Sequence, residues 1–141
     1  MAADPPLVDY EVLGDPRPQG SHRALVPKQG GPPIVIESAG QPLKDWRRSM
    51  VVAAREAWLG PPLHGPVAVN LTFRMPKPQA PQYLLPAVRP DIDKLCRAAL
   101  DSLTSARVYR DDGQVVQLHA TKIYESVGSP PGVRVRVWSA L

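Results

Sequence analysis

The chain has 141 residues, a formal net charge of +4, a hydrophobic fraction of 43%, 18 prolines and a single cysteine. The hydrophobic content and modest charge exclude an intrinsically disordered chain, so we expect one folded domain over residues 1–141. A single cysteine excludes an intrachain disulfide framework, no apolar run reaches the roughly 18–20 residues of a membrane span, and residues 1–30 lack a signal-peptide pattern. We therefore expect a cytoplasmic protein with no membrane partner.

The N-terminal part of the chain is dominated by proline. Residues 1–33 are predicted to form a proline-rich arm in which Val8–Val12 is an edge strand, and Ile34–Ile36 is predicted as a further short strand. Proline breaks helix interiors and central strands, so most of the regular structure should lie beyond the arm.

The first helix is predicted from Leu43 to Gly60, where Pro61-Pro62 follows. Apolar residues recur there at helical spacing and form one stripe. That stripe comprises Leu43, Trp46, Met50, Ala54 and Ala57. Lys44, Arg48 and Arg55 fall on another face, which is either a solvated face or a phosphate-contacting surface.

A strand, a loop and a second helix follow. Pro66–Met75 alternates apolar and polar residues as a half-buried strand does, and residues 76–90 form a proline-rich loop. Asp91 and Asp93 open the second helix, in which Cys96 is interpreted as a small hydrophobic residue rather than a nucleophile. The apolar stripe of this helix comprises Ile92, Leu95, Ala99 and Leu103.

Two more strands complete the expected fold. Val116–Tyr124 and Val133–Trp138 are predicted strands, and residues 128–132 (Gly-Ser-Pro-Pro-Gly) predict a turn that joins them as antiparallel partners. The prediction as a whole is an α+β fold with a single mixed β-sheet and two main helices.

Acidic residues concentrate in a part of the chain without proline. Five of the 13 acidic residues lie between residues 91 and 112. All five are aspartates, namely Asp91, Asp93, Asp101, Asp111 and Asp112. From Arg23 onward the chain has 16 lysines and arginines against 9 acidic residues, so this cluster should lie on a basic surface. Because carboxylates suit Mg²⁺ and cations suit phosphates, the combination indicates a metal-dependent enzyme acting on nucleic acid.

These aspartates also have structural interpretations. Asp91 suits an N-cap, and Asp111-Asp112 suits a turn opener before Gly113. On a continuous helix Asp91 and Asp93 would diverge, so they converge only if Asp91 precedes the first turn in extended geometry. A short return after the helix would bring Asp111 and Asp112 beside them.

Three segments carry a family resemblance: RPDIDKLCRAALDSL from Arg89, VYRDDGQVV from Val108 and TKIY from Thr121. Together they resemble the RusA family of Holliday junction resolvases, most of all the versions carried by phages and prophages. The resemblance extends more loosely to the Trp46 helix, to FRMPKP from Phe73, and to an N-terminal stretch that begins at residue 14. The order Asp-x-Asp, helix, Asp-Asp-x-Gln-Val-Val and Lys-x-Tyr is specific as a set.

The resemblance implies a homodimeric endonuclease that uses Mg²⁺, or Mn²⁺ in its place, to cut four-way DNA junctions in recombination or repair. Its metal ligands would be Asp91, Asp93 and Asp112, with Asp111 as a secondary candidate. Many relatives carry lysine where this chain has Arg97, and asparagine where it has Lys94. Arginine keeps the positive charge but does not release a proton, which leaves stabilisation of transition-state charge open to it.

The resemblance and the charge pattern together suggest which cations hold the DNA backbone. The expected phosphate contacts are Arg89, Lys94, Arg110, Lys122, Lys44, Arg48 and Arg55. Two other functions fit the same residues. One is a non-catalytic DNA-binding protein whose carboxylates only cap and cross-link the fold, and the other is a nuclease that prefers flaps or forks.

Overall fold

The computed structural model describes residues 4–20, 22–25, 28–32, 34–37 and 40–141. Residues 1–3, 21, 26, 27 and 33 of the predicted arm lie outside the described residues, so the arm as a whole stays a prediction. The described elements are β1 (Val8–Leu13), β2 (His22–Leu25), β3 (Ile34–Glu37), α1 (Gly40–Ala57), β4 (Val67–Met75), α2 (Ile92–Ser105), β5 (Val115–Tyr124) and β6 (Gly132–Ser139).

The main sheet has four strands in the order β1-β6-β4-β5. β4 lies inside it and pairs antiparallel with β6 on one side and parallel with β5 on the other. β1 pairs antiparallel with β6 and forms an edge, as predicted for Val8–Val12. The sheet is therefore mixed and, with its two helices, confirms the α+β fold.

Both helices contribute to the core and contact each other. α1 buries Leu43, Trp46, Met50 and Ala54 of its predicted stripe, whereas Lys44, Arg48 and Arg55 are exposed. It ends at Ala57 rather than at Gly60, because the chain turns there and the Trp58 indole donates to the Pro61 carbonyl at 2.8 Å. α2 buries Leu95, Ala99 and Leu103 as expected. Ile92 was wrongly placed in the stripe: it is exposed, because the first helical position lies beyond the core.

Two strand predictions need correction. The tight turn after β5 lies at residues 126–129 rather than at 128–132, because Gly132 already begins β6. β5 and β6 are not the direct partners that were predicted, because they lie on either side of β4. The second correction concerns the N-terminal region, where β2 was not predicted. β2 pairs antiparallel with β3 in a separate two-stranded sheet, so the described chain has two sheets rather than one.

Arg74 is a buried cation near the end of β4 that joins three segments. Its guanidinium donates to Glu11 on β1 and to the Pro130 carbonyl before β6, each at 2.7 Å. Gly132 lies beside it and faces the carbonyl oxygen of Val12 so closely that a Cβ would overlap that oxygen. Glycine at this position therefore lets β1 approach β6.

Across the β1–β6 edge, Arg134 donates two hydrogen bonds to Asp9, at 3.1 and 2.9 Å. The hydrogen bond from Arg134 is the main reason that the pKa of Asp9 lies below its usual value. The lowered pKa means that the pair stabilises the fold above the unfolded-state pKa of about 3.9, and that this stability is lost as pH falls through the lower folded-state value.

We expect Asp9→Asn to lower the free energy of unfolding by less than about 1 kcal/mol at neutral pH, because the pair is solvent-accessible. The difference from the wild type should shrink as the pH falls below the usual aspartate pKa. Thermal unfolding of both proteins across this pH range measures it. A difference that stays constant into acid would contradict the role assigned to the pair.

Candidate active site

Asp91 lies at the start of α2, and its side chain takes no part in capping the helix. Asp91 occupies the N-cap position with extended backbone (φ −69°, ψ 138°), and its carbonyl accepts the first helical hydrogen bond, from Leu95 at 3.1 Å. Its carboxylate makes no capping hydrogen bond. The extended geometry named above as a condition for convergence is therefore present, and the capping interpretation holds for the backbone alone.

The Asp111-Asp112 pair begins a single 3₁₀ turn, Asp112–Gln114, just before β5. Asp111 accepts a hydrogen bond from the Gly113 amide at 2.9 Å, as a turn opener does. The Gln114 side chain accepts from the Asp111 amide and donates to the Leu63 and Gly65 carbonyls, both at 2.9 Å. This network ties the turn to the segment after α1, so Asp112 is presented from a fixed backbone.

One cleft, of about 500 Å³, brings residues of α2 and of this turn together. We call it the Asp93–Asp112 cleft. Its lining comprises Ile92, Asp93, Cys96, Arg97, Leu100, Asp112, Leu118 and Ala120. Two carboxylates therefore share an open space with one guanidinium, against a wall that is otherwise mostly apolar.

The electrostatics of this cleft are dominated by neighbouring carboxylates. Asp111 raises the pKa of Asp112 by a side-chain hydrogen bond, and burial and the negative charges of Asp111 and Asp101 raise it further. The pKa of Asp111 itself is lowered, chiefly by the Gly113 amide. Asp112 therefore lies where a positive ion would relieve repulsion.

Cys96 lies in the same cleft but is not activated. Burial, followed by the negative charge of Asp93, raises the pKa of its thiol to about 11. The thiol stays protonated at neutral pH and is a poor nucleophile. This supports the interpretation of Cys96 as a small hydrophobic residue.

A second cleft, of about 370 Å³, contains Asp91 instead; we call it the Asp91 cleft. Its lining comprises Asp15, Pro16, Arg17, Pro18, Arg89, Pro90, Asp91 and Lys94. The amide of Gln19 donates to the Lys94 carbonyl at 3.0 Å and so holds the arm against α2. Asp15 and Arg17 were not among the predicted site residues, and the only signal for them was the loose family resemblance of this stretch.

The structure thus separates the predicted metal ligands. Asp93 and Asp112 share a cleft, whereas Asp91 lines the other one. Within the part of the chain that the structure describes, no three acidic, histidine or cysteine side chains lie close enough together to hold a metal ion. Among the described residues, no ion pair involves Asp91, Asp93 or Asp112.

Comparison with known families decides the affiliation. A family model described as endodeoxyribonuclease RusA matches residues 15–138, which include both helices, the main sheet from β4 onward and both clefts. The chain belongs to the RusA family. Members of this family are Holliday junction endodeoxyribonucleases, and hence hydrolases. A search of the curated proteins finds no matching relative. Over the described residues of this RusA family member, no helix is long and apolar enough to cross a membrane.

The predicted DNA-contacting cations of this RusA family member are distributed unevenly. Arg89 and Lys94 line the Asp91 cleft. Arg97, which was predicted as a catalytic residue and not as a DNA contact, lines the Asp93–Asp112 cleft. Four other residues that were predicted to contact DNA line neither cleft, namely Arg110, Lys44, Arg48 and Arg55. Arg55 also donates to the Ser105 carbonyl at 3.4 Å, which joins the ends of α1 and α2.

Lys122 on β5 contacts the segment before Asp91 in this RusA family member. Its ammonium donates to the carbonyls of Val88 and Pro90, at 2.7 and 2.9 Å. These carbonyls belong to the residues just before Asp91. Lys122 therefore fixes the end of the loop that positions the Asp91 carboxylate.

We expect Lys122→Met to lower the turnover rate about tenfold by releasing this segment, with partial recovery in Lys122→Arg. The salt dependence of DNA binding, measured as the slope of the logarithm of the binding constant against the logarithm of the salt concentration, separates a positioning role of Lys122 from a DNA contact. A positioning lysine leaves the slope unchanged, whereas loss of a phosphate contact reduces it by about one. A reduced slope with an unchanged turnover rate would contradict the positioning role.

Proposed function

We propose that this RusA family member is a Mg²⁺-dependent endonuclease that cuts four-way DNA junctions, with Asp93 and Asp112 as the carboxylates that hold the metal. The observation that carries the proposal is the shared cleft, in which carboxylates from α2 and from the turn before β5 face the same space beside Arg97. Membership of the family supports the substrate class.

The residues of this cleft fit a magnesium ion. Mg²⁺ usually binds through one or two carboxylates, keeps several waters and takes the remaining ligands from substrate phosphates. Two aspartates therefore suffice on the protein side. The pKa of Asp112 is raised chiefly by its hydrogen bond with Asp111, then by burial and by the charges of Asp111 and Asp101, and a cation would offset the last of these causes. Mn²⁺ prefers the same oxygen ligands and is proposed to substitute.

The other two predicted ligands receive different proposals. Asp91 lines the other cleft, two residues before Asp93, and its carboxylate makes no capping hydrogen bond, so we propose it as a further metal ligand from that cleft. Asp111 is already engaged with the Gly113 amide, so we assign it to the turn rather than to the metal.

The chemistry proposed for the cleft is hydrolysis of a phosphodiester. When bound, Mg²⁺ would polarise the phosphoryl group and lower the pKa of a water. Asp93 and Asp112 would hold this ion, which is the role proposed for the two carboxylates. Arg97 would neutralise charge that develops on the phosphoryl oxygens, and its permanent charge rules it out as a proton acceptor.

DNA is proposed to bind across both clefts, in a homodimer. Arg89 and Lys94 would hold backbone phosphates at the Asp91 cleft. Arg110, Lys122 and the exposed face of α1 (Lys44, Arg48 and Arg55) are proposed as further backbone contacts. A four-way junction is close to two-fold symmetric and needs two matched cuts, which a two-fold dimer supplies.

The test is the initial cleavage rate on a four-way junction, a fork, a flap and a linear duplex of shared sequence, each with Mg²⁺ and with EDTA. We expect Mg²⁺-dependent cutting that is fastest on the junction. Faster cutting of flaps or forks than of the junction would show that the protein is a nuclease that prefers those substrates. Binding of the junction without any cutting would favour the non-catalytic alternative.

A further inference from the structure

Three neighbouring apolar side chains of the 76–90 loop face solvent. Tyr83 is 55% exposed, Leu84 is 97% exposed and Leu85 is 59% exposed. We call residues 83–85 the loop tip. Single exposed apolar residues are ordinary, but a contiguous run of large ones marks a surface that contacts a partner.

The loop tip is presented on a fixed base. Pro86, directly after the tip, is buried, and the Ala87 amide donates to the Leu85 carbonyl at 2.8 Å in a tight turn. Farther along, Lys122 holds the carbonyls of Val88 and Pro90. The tip residues are therefore held outward instead of folding back onto the protein.

Charge and position indicate what the loop tip contacts. Residues 76–90 contain no acidic residue and two cations, Lys77 and Arg89, so the surroundings of the tip attract an anionic partner. Arg89 also lines the Asp91 cleft, which places the base of the loop at the proposed DNA surface. DNA bases at a branch point combine apolar, stackable faces with a surrounding of phosphates.

We propose that the loop tip inserts into branched DNA at the branch point and unstacks the base pairs next to the phosphate that is cut. This inference rests on the proposed function for its substrate. Apolar side chains wedge between base steps, and an aromatic ring such as Tyr83 stacks on an exposed base. Pairs at a branch point have lost part of their stacking, so insertion costs less there than within a duplex. The loop tip thereby contributes to the preference for branched DNA.

The test compares the wild type with the double variant Leu84→Ser/Leu85→Ser. The matched control is Leu59→Ser, because Leu59 is 91% exposed and lies in another loop. Each protein receives an intact four-way junction and one with mismatches at the branch point. In metal-free buffer, 2-aminopurine placed beside the branch point reports unstacking without cutting.

We expect the double variant to cut the intact junction about tenfold more slowly than the wild type, and to recover on the mismatched junction, where the pairs are already open. The wild type and Leu59→Ser should raise the 2-aminopurine fluorescence, and the double variant should not. Equal cutting of the intact junction by the double variant and the wild type would overturn the inference, as would an equal loss on both junctions.

Two further results distinguish a failure of the loop-tip insertion from a failure of the proposed endonuclease function. If the wild type cuts no junction but the fluorescence rises with the wild type and not with the double variant, the proposed function fails and the insertion stands. If the double variant instead changes the number of subunits measured by light scattering, the loop tip is a contact between copies and the inference is overturned.

Discussion

Asp93→Asn is expected to reduce Mg²⁺-dependent cutting of a synthetic four-way junction by roughly 10²- to 10³-fold while leaving junction binding close to the wild-type level. Asparagine keeps the size and one oxygen of the side chain but removes its charge. Asp93 lines the cleft that it shares with Asp112 and Arg97, so the loss falls on the proposed metal site. Single-turnover cleavage and a binding assay in metal-free buffer measure the two quantities separately.

The matched control for this variant is Asp101→Asn. Asp101 lies on the same helix, and its substitution removes the same charge, but it lines neither cleft. We expect it to cut at close to the wild-type rate. Undiminished cutting by Asp93→Asn would remove the basis for placing the metal in this cleft.

Gly132→Ala is expected to cost about 3 kcal/mol of unfolding free energy and to lower the melting temperature by roughly 10 °C. The added Cβ would overlap the Val12 carbonyl oxygen and would lie 3.2 Å from the Arg74 guanidinium. Backbone does not move aside as a flexible side chain does. The clash therefore pushes β1 away from β6 and strains the bond between Arg74 and Glu11.

Gly113→Ala is the control for this stability prediction. Its Cβ would meet nothing closer than the Asp111 carboxylate at 3.5 Å, which is an ordinary contact. We expect a change of less than about 0.5 kcal/mol by denaturant unfolding. Equal stability of Gly132→Ala and the wild type would mean that β1 does not approach β6 as closely as described.

The helices and central strands were predictable because their apolar periodicity reflects which face is buried. Four of the five residues in the α1 stripe are buried, and so is the apolar face predicted for Pro66–Met75. The strand is not half-buried, however, because Ala68 and Arg74 on its opposite face are buried too. β2 was missed because it has only four residues and no periodic signal. A turn after β5 follows from local glycine and proline chemistry, but strand order depends on contacts distant in sequence, so the partners of β5 and β6 could not be derived from it.

The proximity of Asp93 and Asp112 was predictable, because a short return after α2 brings the turn before β5 beside the start of that helix. Asp91 has the extended backbone that was expected to let its carboxylate converge with that of Asp93, yet the two side chains line different clefts, which composition and spacing do not determine. The contact of Lys122 with the loop, and the exposure of Leu84, likewise arise only when distant segments pack.

Asp112, and not its neighbour Asp111, is proposed to belong to the metal-dependent cleavage site. The most direct measurement is the single-turnover rate of junction cleavage in Mg²⁺ for Asp112→Asn and for Asp111→Asn, at a temperature where both are folded. We predict that Asp112→Asn loses roughly 10²-fold or more in rate, while Asp111→Asn stays close to the wild type in rate and in stability, because asparagine also accepts the Gly113 hydrogen bond. Equal rates for the two variants, or a greater loss in Asp111→Asn, would contradict the account.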